Sequence, residues 1–191
     1  MPLAGKKPER VVGLLSIENK RRETLFTRED IRTRVQEMGS ELTKVYANGN
    51  LLVISLMKGS FIFAADLVRE MDLPVHIEFM TTSSYGHGEM STGTVEMVQD
   101  LKLDDLKGYD VLIVDDICDT GITMEAVVAH LKKRNPDSIR SCVLLDKPSR
   151  RTADFEPDYI GFTIPDKFIV GYGLNYGDHF RNIPYIFAFV D

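Results

Sequence analysis

The sequence predicts an α/β fold: a central, mainly parallel sheet flanked by helices. Three observations carry that reading. Leu51–Leu56 (LLVISL), Val111–Val114 and Ser141–Leu145 are short and almost wholly apolar, as parallel strands covered on both faces must be. Segments with helical spacing fall between them, so strand and helix alternate along the chain. From Asp146 onward the helix signals fade. Short strand-like pieces separated by Pro and Gly remain, which fit a small cap over the edge of the sheet.

The elements follow in order. Residues 1–10 are polar and rich in Pro, Gly and Lys, and Val11–Ile17 reads as a short strand. Thr27 with Asp30 three residues later resembles a capping box, and Ile31, Val35, Met38, Leu42 and Val45 then form a helical stripe that ends at Asn48-Gly49-Asn50. After Leu51–Leu56, Lys58-Gly59-Ser60 breaks the strand and Phe61–Met71 reads as a helix. Val75–Met80 alternates as a strand, and Val95–Leu101 reads as its return. Between them Thr81–Thr94, rich in Ser, Thr and Gly, is too long and polar for a tight turn and is a candidate mobile loop. Val111–Val114 precedes a helix at Thr123–Arg134, which stops before Asn135-Pro136. Ser141–Leu145 is the next strand, followed by Tyr159–Thr163, Phe168–Tyr172 and Ile186–Val190.

The chain has 191 residues, enough for one compact domain with a substantial core. A net charge of −6 without a block of Lys or Arg argues against a nucleic-acid partner. Cys118 and Cys142 form no CxxC pair, which fits a reducing cytoplasm. His76, His87, His130 and His179 lack zinc-ligand spacing. No run approaches the roughly 20 apolar residues of a membrane span, and MPLAGKKPER has no apolar core behind it to make a secretory signal. A cytoplasmic protein that engages no membrane is the expectation.

The chemistry concentrates in Val111–Thr123 (VLIVDDICDTGIT). A parallel strand delivers Asp115 and Asp116 at its carboxyl end, where open α/β sheets bind ligands. Alternation along an extended backbone sends the two acids to opposite sides, so at most one faces a given partner directly, and the other could reach it by a bent backbone or through water. Asp119-Thr120-Gly121-Ile122-Thr123 then turns into a helix. Converging backbone N–H groups, the helix N-terminus and the Thr120 and Thr123 hydroxyls suit a phosphate monoester. The competing reading of D-x-x-D-T-G is a solvated loop whose acids cap a helix; the apolar run before it and the helix after it favour the phosphate site. The motifs of a Walker P-loop and of a dinucleotide fingerprint are absent.

The whole thirteen-residue pattern resembles the 5-phosphoribosyl-1-pyrophosphate (PRPP) motif of type I phosphoribosyltransferases. Leu56-Met57-Lys58-Gly59 resembles that family's pyrophosphate loop, and Ser83-Ser84-Tyr85-Gly86 its mobile loop. Leu144-Leu145-Asp146-Lys147 and Asp166–Arg181 (DKFIVGYGLNYGDHFR) resemble the purine-binding end of the hypoxanthine-guanine members. The resemblance covers about residues 10–190. It implies a single phosphoribosyltransferase domain over 1–191, with a core at about 27–150 and a hood from about 10–20 and 150–191. It also implies purine salvage: PRPP and hypoxanthine or guanine give the nucleoside monophosphate (IMP or GMP) and pyrophosphate, with Mg²⁺ as cofactor, in a homodimer or homotetramer.

Roles carry over position by position. Asp115 and Asp116 would hold the ribose hydroxyls, directly or through Mg²⁺ bound to PRPP, and Asp119 would be the acid/base at purine N7. Thr120, Gly121, Ile122 and Thr123 would cradle the 5′-phosphate. Lys58, Gly59 and Arg181 would bind pyrophosphate, and Ser84 and Tyr85 would close over the reacting centre. Lys147 would donate to the 6-oxo group, Phe168 would stack on the base, and Ile169 would meet its edge through backbone groups. In the family the peptide before the Lys58 position is cis.

Two positions depart from the family pattern. Asp115 stands where many relatives carry Glu, one methylene longer. Asn175 stands at the purine-binding end where the pattern has an Asp that helps to hold a second Mg²⁺; an uncharged amide there implies weaker second-metal binding, unless Asp178 compensates. Each residue also has a plainer reading: Lys147 as a surface lysine, Phe168 as core, Ser84 and Tyr85 as ordinary loop, Arg181 as a surface ion-pair partner, Lys58-Gly59 as a simple turn. Alternative functions are a xanthine-preferring enzyme of the same fold, and a PRPP- or nucleotide-sensing regulator that binds RNA.

Overall fold

The computed structural model describes residues 21–84 and 95–190. Among them six strands form one sheet in the order β4-β3-β2-β5-β6-β7: β2 (Leu51–Met57), β3 (His76–Ser84), β4 (Val95–Gln99), β5 (Asp110–Cys118), β6 (Ser138–Asp146) and β7 (Tyr159–Thr163). β2, β3, β5, β6 and β7 are mutually parallel, and only β4 runs antiparallel, returning beside β3. A second sheet of three antiparallel strands joins β1 (Arg21–Phe26), β9 (Ile186–Val190) and β8 (Ile169–Val170).

Burial on both faces explains the apolar runs. The helices α1 (Arg28–Val45) and α2 (Phe61–Arg69) cover one side of the large sheet, where Ile31, Val35, Met38, Leu42, Phe63 and Leu67 join Leu51, Val53, Leu112, Val114 and Leu144 in one core. On the other side α3 (Ile122–Lys132) packs Met124, Val127 and Leu131 against Leu52, Ile54, Val111, Ile113 and Val143. Successive residues of one strand thus feed two cores, so no polar face exists and no alternation shows in the sequence. Burying each such aliphatic side chain stabilises the fold by roughly 1.5–3 kcal/mol before the cost of ordering it.

α1 starts as its sequence requires. Thr27 accepts from Asp30 N at 3.2 Å while Asp30 Oδ2 accepts from Thr27 N at 2.8 Å, a reciprocal capping box. The stripe ends one residue later than expected: Val45 is exposed and Tyr46 is buried in its place.

Several boundaries move. β3 extends to Ser84, four residues past the expected end, because Thr81–Ser84 pair with β4. β5 continues through both acids to Cys118, because its pairing with β6 runs on to Cys118–Asp146. Arg21–Phe26 is a strand that the sequence does not announce. The strand expected at Val11–Ile17, and residues 10–20 of the expected hood, lie outside the described residues. Of residues 150–191, β7 is the edge of the large sheet, whereas β8 and β9 pair with β1 in the small one. No helix among the described residues is long and apolar enough to cross a membrane.

Candidate active site

The site opens where the pairing around β5 becomes one-sided. On the β2 flank, pairing ends at Ser55–Val114, whereas on the β6 flank it continues to Cys118–Asp146. The last residues of β5 therefore face an open edge, and β2 turns away through Lys58-Gly59. The resulting cavity, about 270 Å³, is lined by Asp115, Asp116, Asp119, Thr120, Gly121 and Thr123, with Thr82, Ile117, Cys118 and Met124. A larger cavity of about 340 Å³ lies elsewhere, between α1, α2 and residues 182–184, and none of the expected site residues lines it.

Asp115 and Asp116 both line this cavity, although they are neighbours on an extended strand. Asp115 Oδ1 accepts from Asp116 N at 2.9 Å, and Asp116 Oδ1 accepts from Ile117 N at 3.0 Å. Each side chain curls onto the next N–H. Burial raises the pKa of Asp115 well above the usual carboxylate range, and the charge of Asp116 raises it further. Asp116 is raised too, by burial, although its hydrogen bonds and the positive charge of Arg181 oppose the shift. Such a pair favours an arriving cation or hydroxyl donor over water.

The turn between β5 and α3 depends on Gly121. It caps α3 at φ 83°, a left-handed conformation that a β-carbon disfavours, and a Cβ there would lie 2.9 Å from Arg151 Cδ. The first N–H groups of a helix lack intrahelical partners, and of the first turn of α3 Thr123 and Met124 line the cavity with Gly121. Ile122 N reaches Thr120 Oγ1 at 3.5 Å, while Ile122 itself does not line the cavity.

Three more segments converge here. The Met57–Lys58 peptide is cis, and Gly59 packs so closely on the Asp116 carboxylate that a Cβ would collide with it. A Cβ on Gly173, at φ 103°, would in turn strike the Gly59 carbonyl. Arg181 Nη1 donates to Gly173 O at 2.6 Å, and Gly173 N donates to Arg181 O at 2.9 Å. Gly59 and Arg181 thus lie beside Asp116, with Lys58 next to Gly59 in the chain.

At the end of β6, Lys147 is only 6% exposed, so it is no surface lysine. Its Nζ donates to Lys167 O at 3.0 Å and lies 3.5 Å from Asp166 Oδ1. Phe168, by contrast, is 59% exposed, so it is not core; its ring meets Tyr176 edge-on at 5.6 Å, and Tyr176 rests against Phe189. Ile169 is buried in β8 beside it. Asn175 is not drawn to the acids: it sits on the exposed turn and its Nδ2 donates to Gly177 O. Ser84 ends β3, where it pairs with Val95; its side chain and Tyr85 lie outside the described residues.

Two arginines escape the sequence reading. Arg151, buried, donates to Asp119 O at 2.5 Å, to Cys118 Sγ at 2.9 Å and to Asp146 Oδ1. It ties the ends of β5 and β6 together beside the Gly121 turn, and Thr152 N and Ala153 N add bonds to Thr120 O at 3.0 Å each. Arg150 reaches the Asp119 carboxylate. Neither shows in the sequence except as the RR after the Pro148 turn, because Cys118 and Asp119, which they meet, lie about 30 residues away. Cys118 is no nucleophile: burial pushes its thiol up to about 12.

The open strand ends, paired acids and helix N-terminus define an α/β enzyme that takes a phosphorylated ligand. Comparison with known proteins makes this specific. The family model described as "Phosphoribosyl transferase domain" matches residues 23–177. A hypoxanthine-guanine phosphoribosyltransferase of Aquifex aeolicus is 46% identical over 176 residues, which span 92% of this chain and 98% of that protein. A hypoxanthine phosphoribosyltransferase of Haemophilus influenzae is 48% identical over 86% of this chain and 93% of its own length. The crystal structure of a hypoxanthine phosphoribosyltransferase from Staphylococcus aureus superposes with a TM-score of 0.86 at 41% identity, covering 92% of this chain and 95% of that one. The chain belongs to the phosphoribosyl transferase family, in its hypoxanthine-guanine branch, and has the type I fold.

Proposed function

We propose that the chain transfers the 5-phosphoribosyl group of PRPP to hypoxanthine or guanine, releasing pyrophosphate. The observation that carries this is the single cavity in which Asp115, Asp116, Asp119 and the Gly121 turn face one another, with Lys147 held at the end of the neighbouring strand. The turn and the α3 N-terminus would bind the 5′-phosphate, and Asp115 and Asp116 the ribose hydroxyls. As N9 of the base forms its bond to C1′, the bond from C1′ to pyrophosphate breaks and pyrophosphate keeps the electron pair. Positive charge then develops on the sugar and negative charge on the leaving group. Lys58 and Arg181 would offset the latter, and Asp119 would take the proton from N7. Lys147 offers only donors, which suits a 6-oxo group and disfavours the 6-amino group of adenine. Phe168 presents an exposed ring for stacking on the base. Ser84 and Tyr85 would close over the centre and exclude water.

The donor set fits Mg²⁺. Asp115 and Asp116 supply carboxylate oxygens, and no cluster of three or more His, Cys, Asp or Glu side chains that could cage a metal occurs among the described residues. That is the pattern for an ion held largely by substrate phosphates and water. When bound, Mg²⁺ would neutralise charge on the pyrophosphate. Asn175 would add little to a second ion, being uncharged and turned toward Gly177. The reading includes a cytoplasmic location, which two buried free thiols fit, and an assembly of two or four copies. A spectrophotometric panel of hypoxanthine, guanine, xanthine and adenine with PRPP and Mg²⁺ tests the function. Turnover of the first two is expected; turnover of adenine alone would overturn it, and a gel-shift with RNA should show nothing.

A further inference from the structure

We propose that Arg150 is a positioning residue for the Asp119 carboxylate, holding one of its oxygens so that the other faces the purine; this rests on the role of Asp119 proposed above. Asp119 Oδ1 is buried and has no hydrogen-bond partner, yet Arg150 Nε stands 3.1 Å from it. A buried carboxylate oxygen without a bond is costly, so a guanidinium at this distance is its natural companion. Arg150 is itself well placed to hold a fixed position. It closes the short 3-10 turn Pro148–Arg150, where its N–H donates to Lys147 O at 3.1 Å. The next residue, Arg151, nails that turn to Cys118, Asp119 O and Asp146. The far end of Arg150 lies 3.7 Å from Asp166 Oδ1, and the same oxygen lies 3.5 Å from Lys147 Nζ. Asp119, Arg150, Asp166 and Lys147 therefore form a chain of alternating charge from the acid/base to the residue proposed to read the 6-position.

The Arg150–Asp119 pair is half-exposed, so it contributes little to folding and its loss should register in catalysis alone. The test is a set of kinetic measurements on Arg150→Met and Arg150→Lys, each alone and with Asp119→Asn, beside melting temperatures. Arg150→Met is expected to lower kcat/KM for hypoxanthine about tenfold, the size of one misaligned charged hydrogen bond. The KM for PRPP and the melting temperature should stay unchanged, and Arg150→Lys should recover most of the loss. In the Asp119→Asn background, Arg150→Met should have no further effect, since the group it positions is gone. Wild-type kinetics in Arg150→Met, or a full tenfold loss repeated in the Asp119→Asn background, would overturn the proposal. An Asp119→Asn variant that kept normal turnover would instead sink the role of Asp119 itself, so the two failures are distinct.

Discussion

Gly173 packs directly on the carbonyl of Gly59, leaving no room for a side chain between the small-sheet segment and the turn after β2. This contact joins Arg181, which brackets Gly173 through two hydrogen bonds, to the residues beside Asp116. Gly173→Ala would add both a collision and a left-handed alanine at φ 103°. We expect a loss of about 2–3 kcal/mol in urea unfolding and at least a tenfold fall in kcat/KM for PRPP. Unchanged PRPP kinetics would show that the contact does not shape the pyrophosphate end.

Asp115 weakens the fold as the pH rises. Burial and its neighbour raise its folded pKa above the unfolded value near 3.9. A carboxyl raised in this way stabilises the fold fully below the unfolded pKa and loses that contribution as pH rises through the folded pKa. As the pH rises through that pKa, a second negative charge develops beside Asp116 in the native state. Asp115→Asn should melt higher at pH 7, by about 2–4 °C for each 1 kcal/mol gained in a chain of this size, and the gain should shrink toward pH 4. The same variant should bind PRPP more weakly. Calorimetry at the two pH values checks the sign.

Asp100 behaves in the opposite sense. Burial opposes its ionisation, but hydrogen bonds from Leu101 N–H and His130, with the charge of Arg134, outweigh that and hold its pKa low. It fastens the end of β4 to α3 and to Arg134, which also donates to Leu103 O at 2.9 Å. A lowered carboxyl stabilises above the unfolded pKa and loses that contribution as pH falls through the folded one. Asp100→Asn should cost about 1–3 kcal/mol at pH 7, and the difference from wild type should shrink as the pH falls through the lowered pKa of Asp100. A difference that persisted in acid would mean that shape rather than charge makes the clamp.

Phe168 is exposed, so its removal leaves no cavity. Phe168→Ala should shift stability by less than about 0.5 kcal/mol while raising the purine KM about tenfold, as expected for a lost stacking partner. Equal losses in stability and binding would make it a structural residue.

Much of this arrangement was legible in the sequence, for identifiable reasons. Leu51–Leu56 and Val111–Val114 must be apolar on both faces, and that requirement shows in every residue. The capping box of α1 is local, so Thr27 and Asp30 declare it. The Asp115–Thr123 turn combines residue types that few other settings need. What stayed hidden depends on distant partners. β1 is a strand because it pairs with β9, about 165 residues away, and its own sequence, RRETLF, is mostly exposed. The extension of β5 follows from β6, not from Asp115 or Asp116. The bonds that the Asp115 and Asp116 carboxylates accept from the next backbone N–H are details that alternation does not foresee. Arg150 and Arg151 act on residues of the preceding β–α turn, and adjacency in sequence says nothing of it.

The central claim is that Asp119 handles the proton of a 6-oxopurine while PRPP is consumed in the adjoining cavity. Steady-state turnover of hypoxanthine with PRPP and Mg²⁺, compared between wild type and Asp119→Asn, tests it most directly. The account predicts IMP and pyrophosphate in equal amounts from the wild type. It predicts a kcat lower by about 10²–10⁴-fold in the variant, with the KM for PRPP little changed. Near-normal kcat in Asp119→Asn, or a wild type that consumes no PRPP with hypoxanthine or guanine, would contradict it.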